Sequence, residues 1–141
     1  MKTPVNFQIS KLLKEKGFDV PVRTYRLEGK YSDFLYEGFE DDYWGDNKVV
    51  NWNKDEIGIK PFVGFVSAPT IAEVVKWLYD KHEIFVTVNI PYEEFGKFSA
   101  EIWGKNLDDG IKILLTDGMS VFDNIENAYE EGIEHCLTNE I

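Results

Sequence analysis

Nucleophile and acid–base chemistry would have to come from few residues. The chain holds two histidines, His82 and His135, and a single cysteine, Cys136. A Cys–His nucleophile pair needs thiol and imidazole within hydrogen-bond reach. His135 and Cys136 are adjacent, and adjacent helix positions point about 100° apart. Cys136 falls on an apolar helical face, where a thiol is buried and inert. His82 closes another helix, where the dipole favours an imidazolium. Carboxylates are plentiful but poorly arranged. Asp41, Asp42 and Asp46 look like half of a cation loop, yet the alternating oxygen ligands and distant bidentate Glu of a calcium loop are missing. Asp108, Asp109 and Asp117 flank the ends of a strand and read as turn residues. Glycoside hydrolysis needs two carboxylates across a cleft, and the sequence places no pair that way. There is no HExxH, no GxSxG and no phosphate-binding glycine loop. The expectation is a protein without catalytic residues, cofactor or metal, and not an enzyme.

Charge narrows the partners. The 141 residues carry a formal net charge of −11. Residues 1–30 hold seven Lys or Arg against three acids, whereas residues 106–141 hold one against nine. Such a chain repels nucleic acid at long range unless a local basic patch prevails. The patch available is Lys11, Lys14, Lys16, Arg23, Arg26 and Lys30. Of these, Lys11, Lys14, Arg23 and Arg26 are the residues expected to contact an anion if one is bound. One cysteine rules out an intrachain disulfide framework. No apolar run approaches the length of a membrane span. The N-terminus lacks the uninterrupted apolar core of a secretion signal, so the cytoplasm is the expected compartment.

The elements that must position these residues can be read from periodicity. Asn6 is placed to cap a short helix whose apolar side is Ile9, Leu12 and Leu13. Gly17 supplies its C-terminal cap, and Phe18 folds back on the last turn. Val20 to Leu27 is β-rich, with Pro21 marking an edge or a late start. Tyr31 to Tyr36 reads as a returning strand after the turn Glu28-Gly29-Lys30. Residues 37–60 form an ordered surface excursion pinned by some of Phe39, Tyr43, Trp44 and Trp52, with Val49 and Val50 as a short strand.

From residue 67 the pattern is sharper. Thr70 and Glu73 form a capping box ahead of Ile71, Val74, Val75 and Leu78 at helical spacing, with Trp77 one step off that stripe. Ile84, Val86, Val88 and Ile90 alternate along a strand ended by Pro91. Phe98, Ala100 and Ile102 alternate along a second, and Ile111, Ile113 and Leu115 along a third. Asp123 and Glu126 read as the capping box of a last helix. Its apolar face is Ile125, Ala128, Tyr129, Gly132, Ile133, Cys136 and Leu137. Gly132 costs that helix about 1 kcal/mol of propensity. Close approach to the sheet, where no side chain fits, accounts for it. The expected fold is α+β: a three-stranded antiparallel sheet with two helices on one face, plus an N-terminal helix and hairpin. We read one domain, with residues 1–60 an extension and 67–141 the core.

Helix–strand–strand–strand–helix is the order of a double-stranded RNA-binding domain, but the last helix begins Asp123-Asn124-Ile125-Glu126 and continues with Glu130, Glu131 and Glu134. Acids there repel phosphate, so RNA binding by that surface is not expected. The same order, with the terminal NIENAYEEGIEHCL, also resembles acidic antitoxins that cover basic toxins. A further resemblance covers most of the chain. SKLLKEKGFDVPVR, VVNWNKDE, FVSAPTIAEVVKWLYDKHEIFVTV and ENAYEEGIEHCL together resemble a small uncharacterised family common in Bacteroidetes genomes and their phages. NWNK followed by SAPT and, after one residue, AEVVKWLYDKH carries it most specifically. The resemblance implies a phage or mobile-element setting; the family has no assigned activity and supplies no catalytic residue to carry over.

Partner contacts remain the leading function. With both helices on one face, Trp103, Glu101, Phe85 and Leu114 fall on the other, and exposed aromatics on such a face call for a cover. The surface expected to meet a protein partner or a second copy is Phe85, Trp103 and Leu114, with Glu130, Glu131 and Glu134 on the last helix. The function expected is a phage-type accessory protein acting through protein–protein contacts. The alternatives are an acidic inhibitor or antitoxin-like module masking a basic nucleic-acid-handling protein, and nucleic-acid binding through the basic N-terminal segment.

Overall fold

The N-terminal helix α1, Phe7–Glu15, is fixed at both ends by side chain and backbone chemistry. The computed structural model describes residues 2–29, 34–37, 49–54, 64–91, 96–106, 110–115 and 120–141. Asn6 Oδ1 accepts from the Ile9 N–H at 2.9 Å, one of the donors a helix start leaves unpaired. At the other end Gly17 adopts φ 83°. The Phe18 N–H then reaches Leu13 O at 2.9 Å and the Gly17 N–H reaches Lys14 O at 3.2 Å. That is a Schellman cap, and it drives Phe18 into the interior.

Two compact units follow, residues 4–70 and residues 71–141 with 1–3. The first is built on β1, Thr24–Leu27, flanked by β2, Tyr36–Glu37, and β3, Phe65–Ser67. All three pair antiparallel in the order β2-β1-β3. Strand β1 starts late, after Pro21, because a residue without an N–H cannot join a ladder from inside it. Val22 and Val50 form an isolated bridge ahead of it. Of the returning strand expected over 31–36, Tyr36 lies in β2 and residues 31–33 lie outside the described residues. Helix α1 packs against β3, burying Ile9 and Leu13, and Val66 in the strand is buried as well.

The second unit runs α2, Ile71–His82; β4, Ile84–Asn89; β5, Ser99–Asn106; β6, Gly110–Leu115; and α3, Ile125–His135. Its sheet is antiparallel in the order β4-β5-β6. Helix α3 packs on β4 and β5, and α2 on β4 and α3. Alternation along β4 and β5 sends Ile84, Val86, Ala100 and Ile102 into the interior. The fold class is therefore α+β around a three-stranded antiparallel sheet.

The α2 stripe differs from expectation at one step. Ile71, Val74, Trp77 and Leu78 are buried, and Val75 is only half-buried. Trp77 is the larger apolar side chain, so the helix turns its burial toward it. The start of α3 differs as well. The N-cap is Asn124, whose Oδ1 accepts from the Asn127 N–H at 2.8 Å, and Asp123 pairs with Lys97. Ile125, placed on the apolar face by periodicity, is 38% exposed as the first residue of α3. Gly132 is buried where expected: a Cβ there would sit 2.7 Å from Val86 Cγ1 and 3.0 Å from Ala100 Cβ. The helix lies on the strands at a separation that only a hydrogen can fill.

Candidate interaction surface

The outer face of β4 and β5 is organised by register. Phe85 stands opposite Trp103, Thr87 opposite Glu101 and Asn89 opposite Ser99. Phe85, Thr87, Glu101 and Trp103 are half-buried and Asn89 is exposed. The polar groups of the face satisfy one another. Trp103 Nε1–H donates to Thr87 Oγ1 at 3.1 Å, and Asn89 Nδ2 donates to Glu101 Oε1. Phe85 is partly shielded by Tyr79 of α2, whose ring centroid lies 4.2 Å away and whose side chain is 47% exposed. The result is an ordered aromatic strip beside a polar ladder.

Leu114, the third apolar residue expected on this strip, lies in β6. Trp103 pairs with Ile113, Ile102 pairs with Leu115, and the register shifts between them. The pairing of β5 with β6 therefore carries a bulge at this point. Tyr79 is the member that sequence reading missed. Its signal was weak, because it lies off the apolar stripe of α2 and meets Phe85 only once Glu83 reverses the chain.

The three glutamates of α3 are not equivalent. Glu131 accepts from the Ser120 N–H through both oxygens, at 3.0 and 3.2 Å, and so ties the approach segment to the helix. Glu134 is exposed and Glu130 is half-buried. The basic residues of the first unit are largely occupied. Lys14 Nζ donates to Phe65 O at 2.9 Å and lies 3.4 Å from Glu28 Oε1. Arg26 Nη2 donates to Val5 O at 3.0 Å. Arg23 Nε lies 3.8 Å from Glu37 Oε2, and Lys11 sits 5.9 Å above the Phe7 ring. Lys30 lies outside the described residues.

The NWNK and SAPT segments come together inside the first unit. Asn53 Nδ2 donates to Phe18 O at 3.0 Å, and Asn53 Oδ1 accepts from the Ser67 N–H at 2.9 Å. One amide side chain thus joins the end of α1, the 3₁₀ turn Trp52–Lys54 and β3. Trp52 Nε1–H donates to Val22 O at 2.8 Å, and its ring lies 4.1 Å from Tyr25 and 5.6 Å from Phe65. Tyr25 also stacks on Tyr36 at 5.5 Å. Burial, with Tyr36 adding to it, raises the Tyr25 hydroxyl above its ordinary pKa. The most distinctive motif of the sequence thus ties three parts of the first unit together.

The two histidines and the cysteine each sit in a defined environment. Cys136 is fully buried, and burial, with Glu140 nearby, pushes its thiol up to about 12. His135 turns to Glu140 Oε1 at 3.2 Å and to Asn139 Nδ2 at 3.1 Å, so it forms no pair with the thiol. His82 departs from the imidazolium expected of a helix C-terminus. Burial, and then Lys81, lower its pKa, and its Nε2 is buried without a hydrogen-bond partner. Desolvation outweighs the helix dipole because the ring lies against Trp77, centroids 4.8 Å apart. Among the described residues no cluster of three or more His, Cys, Asp or Glu side chains is placed to hold a metal. Asp41, Asp42, Asp46, Asp108, Asp109 and Asp117 lie outside them. No helix in the described residues is long and apolar enough to cross a membrane. Comparison with protein-family models, curated proteins and solved structures found no match to this chain.

Proposed function

We propose that this chain is an accessory protein of the phage or mobile-element type that acts through protein–protein contacts. The observation that carries the reading is the outer strip of Phe85 and Trp103, shouldered by the half-exposed Tyr79. Aromatic side chains bring large contact area with few rotatable bonds, which makes them favoured interface anchors. The order α2–β4–β5–β6–α3 supports the likeness to a double-stranded RNA-binding topology. Its last helix nevertheless presents Glu126 and Glu134 in place of the cations a phosphate would need. The two rival readings draw less support. Glu131 is engaged with Ser120, which subtracts from an acidic docking helix, and Lys14 and Arg26 are engaged with main-chain carbonyls.

The test is differential capture. The immobilised chain, its Tyr79→Ala variant and its Trp103→Ser variant are exposed to extract of the native host, with circular dichroism verifying the fold of each. A partner retained by the parent and lost by both variants supports the proposal. A partner retained equally by all three, or no specific partner, refutes it.

A further inference from the structure

Strand β4 stands at an edge of its sheet, and among the described residues no strand pairs with its other side. In an antiparallel pair every second residue turns its N–H and C=O away from the neighbouring strand. An edge is therefore a row of donors and acceptors open to another chain, and proteins ordinarily blunt it with charge, proline or a bulge. The two edges of this sheet differ in that respect. Strand β6 contains Lys112 and pairs with β5 through the register shift. Strand β4, Ile84-Phe85-Val86-Thr87-Val88-Asn89, contains no charged residue and no proline, and its six pairs with β5 keep one register.

The surroundings select what such an edge would receive. Residues 1–3 and 71–141 carry six lysines against fifteen acids. A second copy of this unit would bring the same charge and be repelled, whereas a basic chain would be attracted. Two acids stand close to the strand itself. Glu101 lies across from Thr87 on the outer face. Glu83, exposed, immediately precedes β4 with φ 55°. Glycine is the favoured residue in that left-handed conformation. At the two ends of the strand, Tyr79 at 47% exposure and Ile90 at 50% offer apolar contact.

We propose that the outer edge of β4 receives an extended, basic segment of a partner protein as a fourth strand of this sheet. Main-chain hydrogen bonds supply the pairing, and the excess of acids in this unit selects for lysine or arginine on the incoming segment. The inference deepens the protein-contact reading above and rests on it.

The experiment follows amide hydrogen exchange across residues 84–89 of the full chain with three probes. They are an acetylated octapeptide of alternating lysine and valine, its glutamate–valine counterpart, and the lysine peptide N-methylated at alternate residues. Alternate amides of β4 are expected to exchange freely in the protein alone and to be protected by the lysine peptide. The glutamate and N-methylated peptides should each bind at least about tenfold more weakly, since one reverses the charge and the other removes the backbone donors. Thr87→Lys, and independently the exposed Glu83→Lys, should weaken the lysine peptide, and Thr87→Glu should not. Binding of the lysine peptide without protection in β4 overturns the proposal, as does equal binding of the N-methylated peptide. Protection that grows with protein concentration and needs no peptide also overturns it, by making a second copy the occupant. A partner whose capture depends on Tyr79 and Trp103 while β4 exchange is unchanged defeats strand addition and leaves the contact reading standing. Protection by the lysine peptide together with failed capture does the reverse.

Discussion

Replacing Gly132 with alanine tests how closely α3 lies on its sheet. In an exposed helix the change would stabilise by about 1 kcal/mol, because alanine is the better helix former. Here the added Cβ would fall 2.7 Å from Val86 Cγ1 and 3.0 Å from Ala100 Cβ. Both distances are well inside the roughly 3.5–4.0 Å optimum for carbon contacts. Neither neighbour yields easily. Val86 is 2% exposed and stiff about χ1, and the Ala100 Cβ is fixed to the strand backbone. Relief requires the helix to lift or the strand to shift, an overpacking cost of about 1–3 kcal/mol. Set against the propensity gain, the net is a loss of about 1 kcal/mol, or about 2–5 °C in Tm for a chain of this size.

The Val86→Ala background isolates the contact. That substitution removes Cγ1 and opens a void, so the alanine at 132 should there be neutral or stabilising. The coupling between the two sites should be about 1–2 kcal/mol. Urea denaturation followed by far-UV circular dichroism on the four proteins of the cycle measures it. If Gly132→Ala stabilises the parent by the full propensity gain, or shifts both backgrounds equally, the close approach of α3 is refuted.

Three other expectations concern stability. Asn53→Ala removes the donor to Phe18 O and the acceptor of the Ser67 N–H, and should cost about 1–3 kcal/mol in urea denaturation. Asn124→Ala should cost about 1 kcal/mol through loss of the cap, whereas Asp123→Ala, removing only an exposed ion pair, should cost well under that; equal losses would contradict the position of the cap. His82 has a folded pKa below its ordinary 6.5, so the unfolded chain binds the proton more readily. Its contribution is complete above about pH 6.5 and is lost as pH falls below that value through the lowered folded pKa. Stability–pH profiles of the parent and His82→Phe should therefore diverge on the acid side of pH 6.5, and parallel profiles would contradict the desolvated ring.

Legibility in the sequence tracked how local the cause was. Asn6, Gly17 and Phe18 act within one turn of chain, and their roles are fixed by capping chemistry that needs no distant partner. Alternation in β4 and β5 was readable at Ile84, Val86, Ala100 and Ile102, because a strand with one buried face must alternate, but Val88 and Phe98 are only half-buried and Ile90, past the end of β4, is 50% exposed. Gly132 was readable as a close approach because a glycine on an apolar helical face has few other uses. The cap of α3 was misplaced by one residue, since Asp123 and Asn124 can both accept at a helix start and only the position of Lys97, on another segment, separates them. Val75 and Trp77 exchange burial for a similar reason. Helical period allows either, and what lies across from the helix decides.

The candidate surface depended still more on the tertiary structure. Sequence alone determined an acidic α+β chain with elements of the right period and two aromatics, Phe85 and Trp103, on one side of adjacent strands. It could not place Tyr79 beside Phe85, because that contact follows from the reversal at Glu83. It could not foresee the register shift between β5 and β6, because register is a property of two strands together. Nor could it assign Lys14, Arg26, Glu131 and Asn53 to main-chain partners. A charged or amide side chain looks alike in sequence whether it meets solvent, a ligand or a carbonyl many residues away, and only the folded chain brings the partner within hydrogen-bond distance.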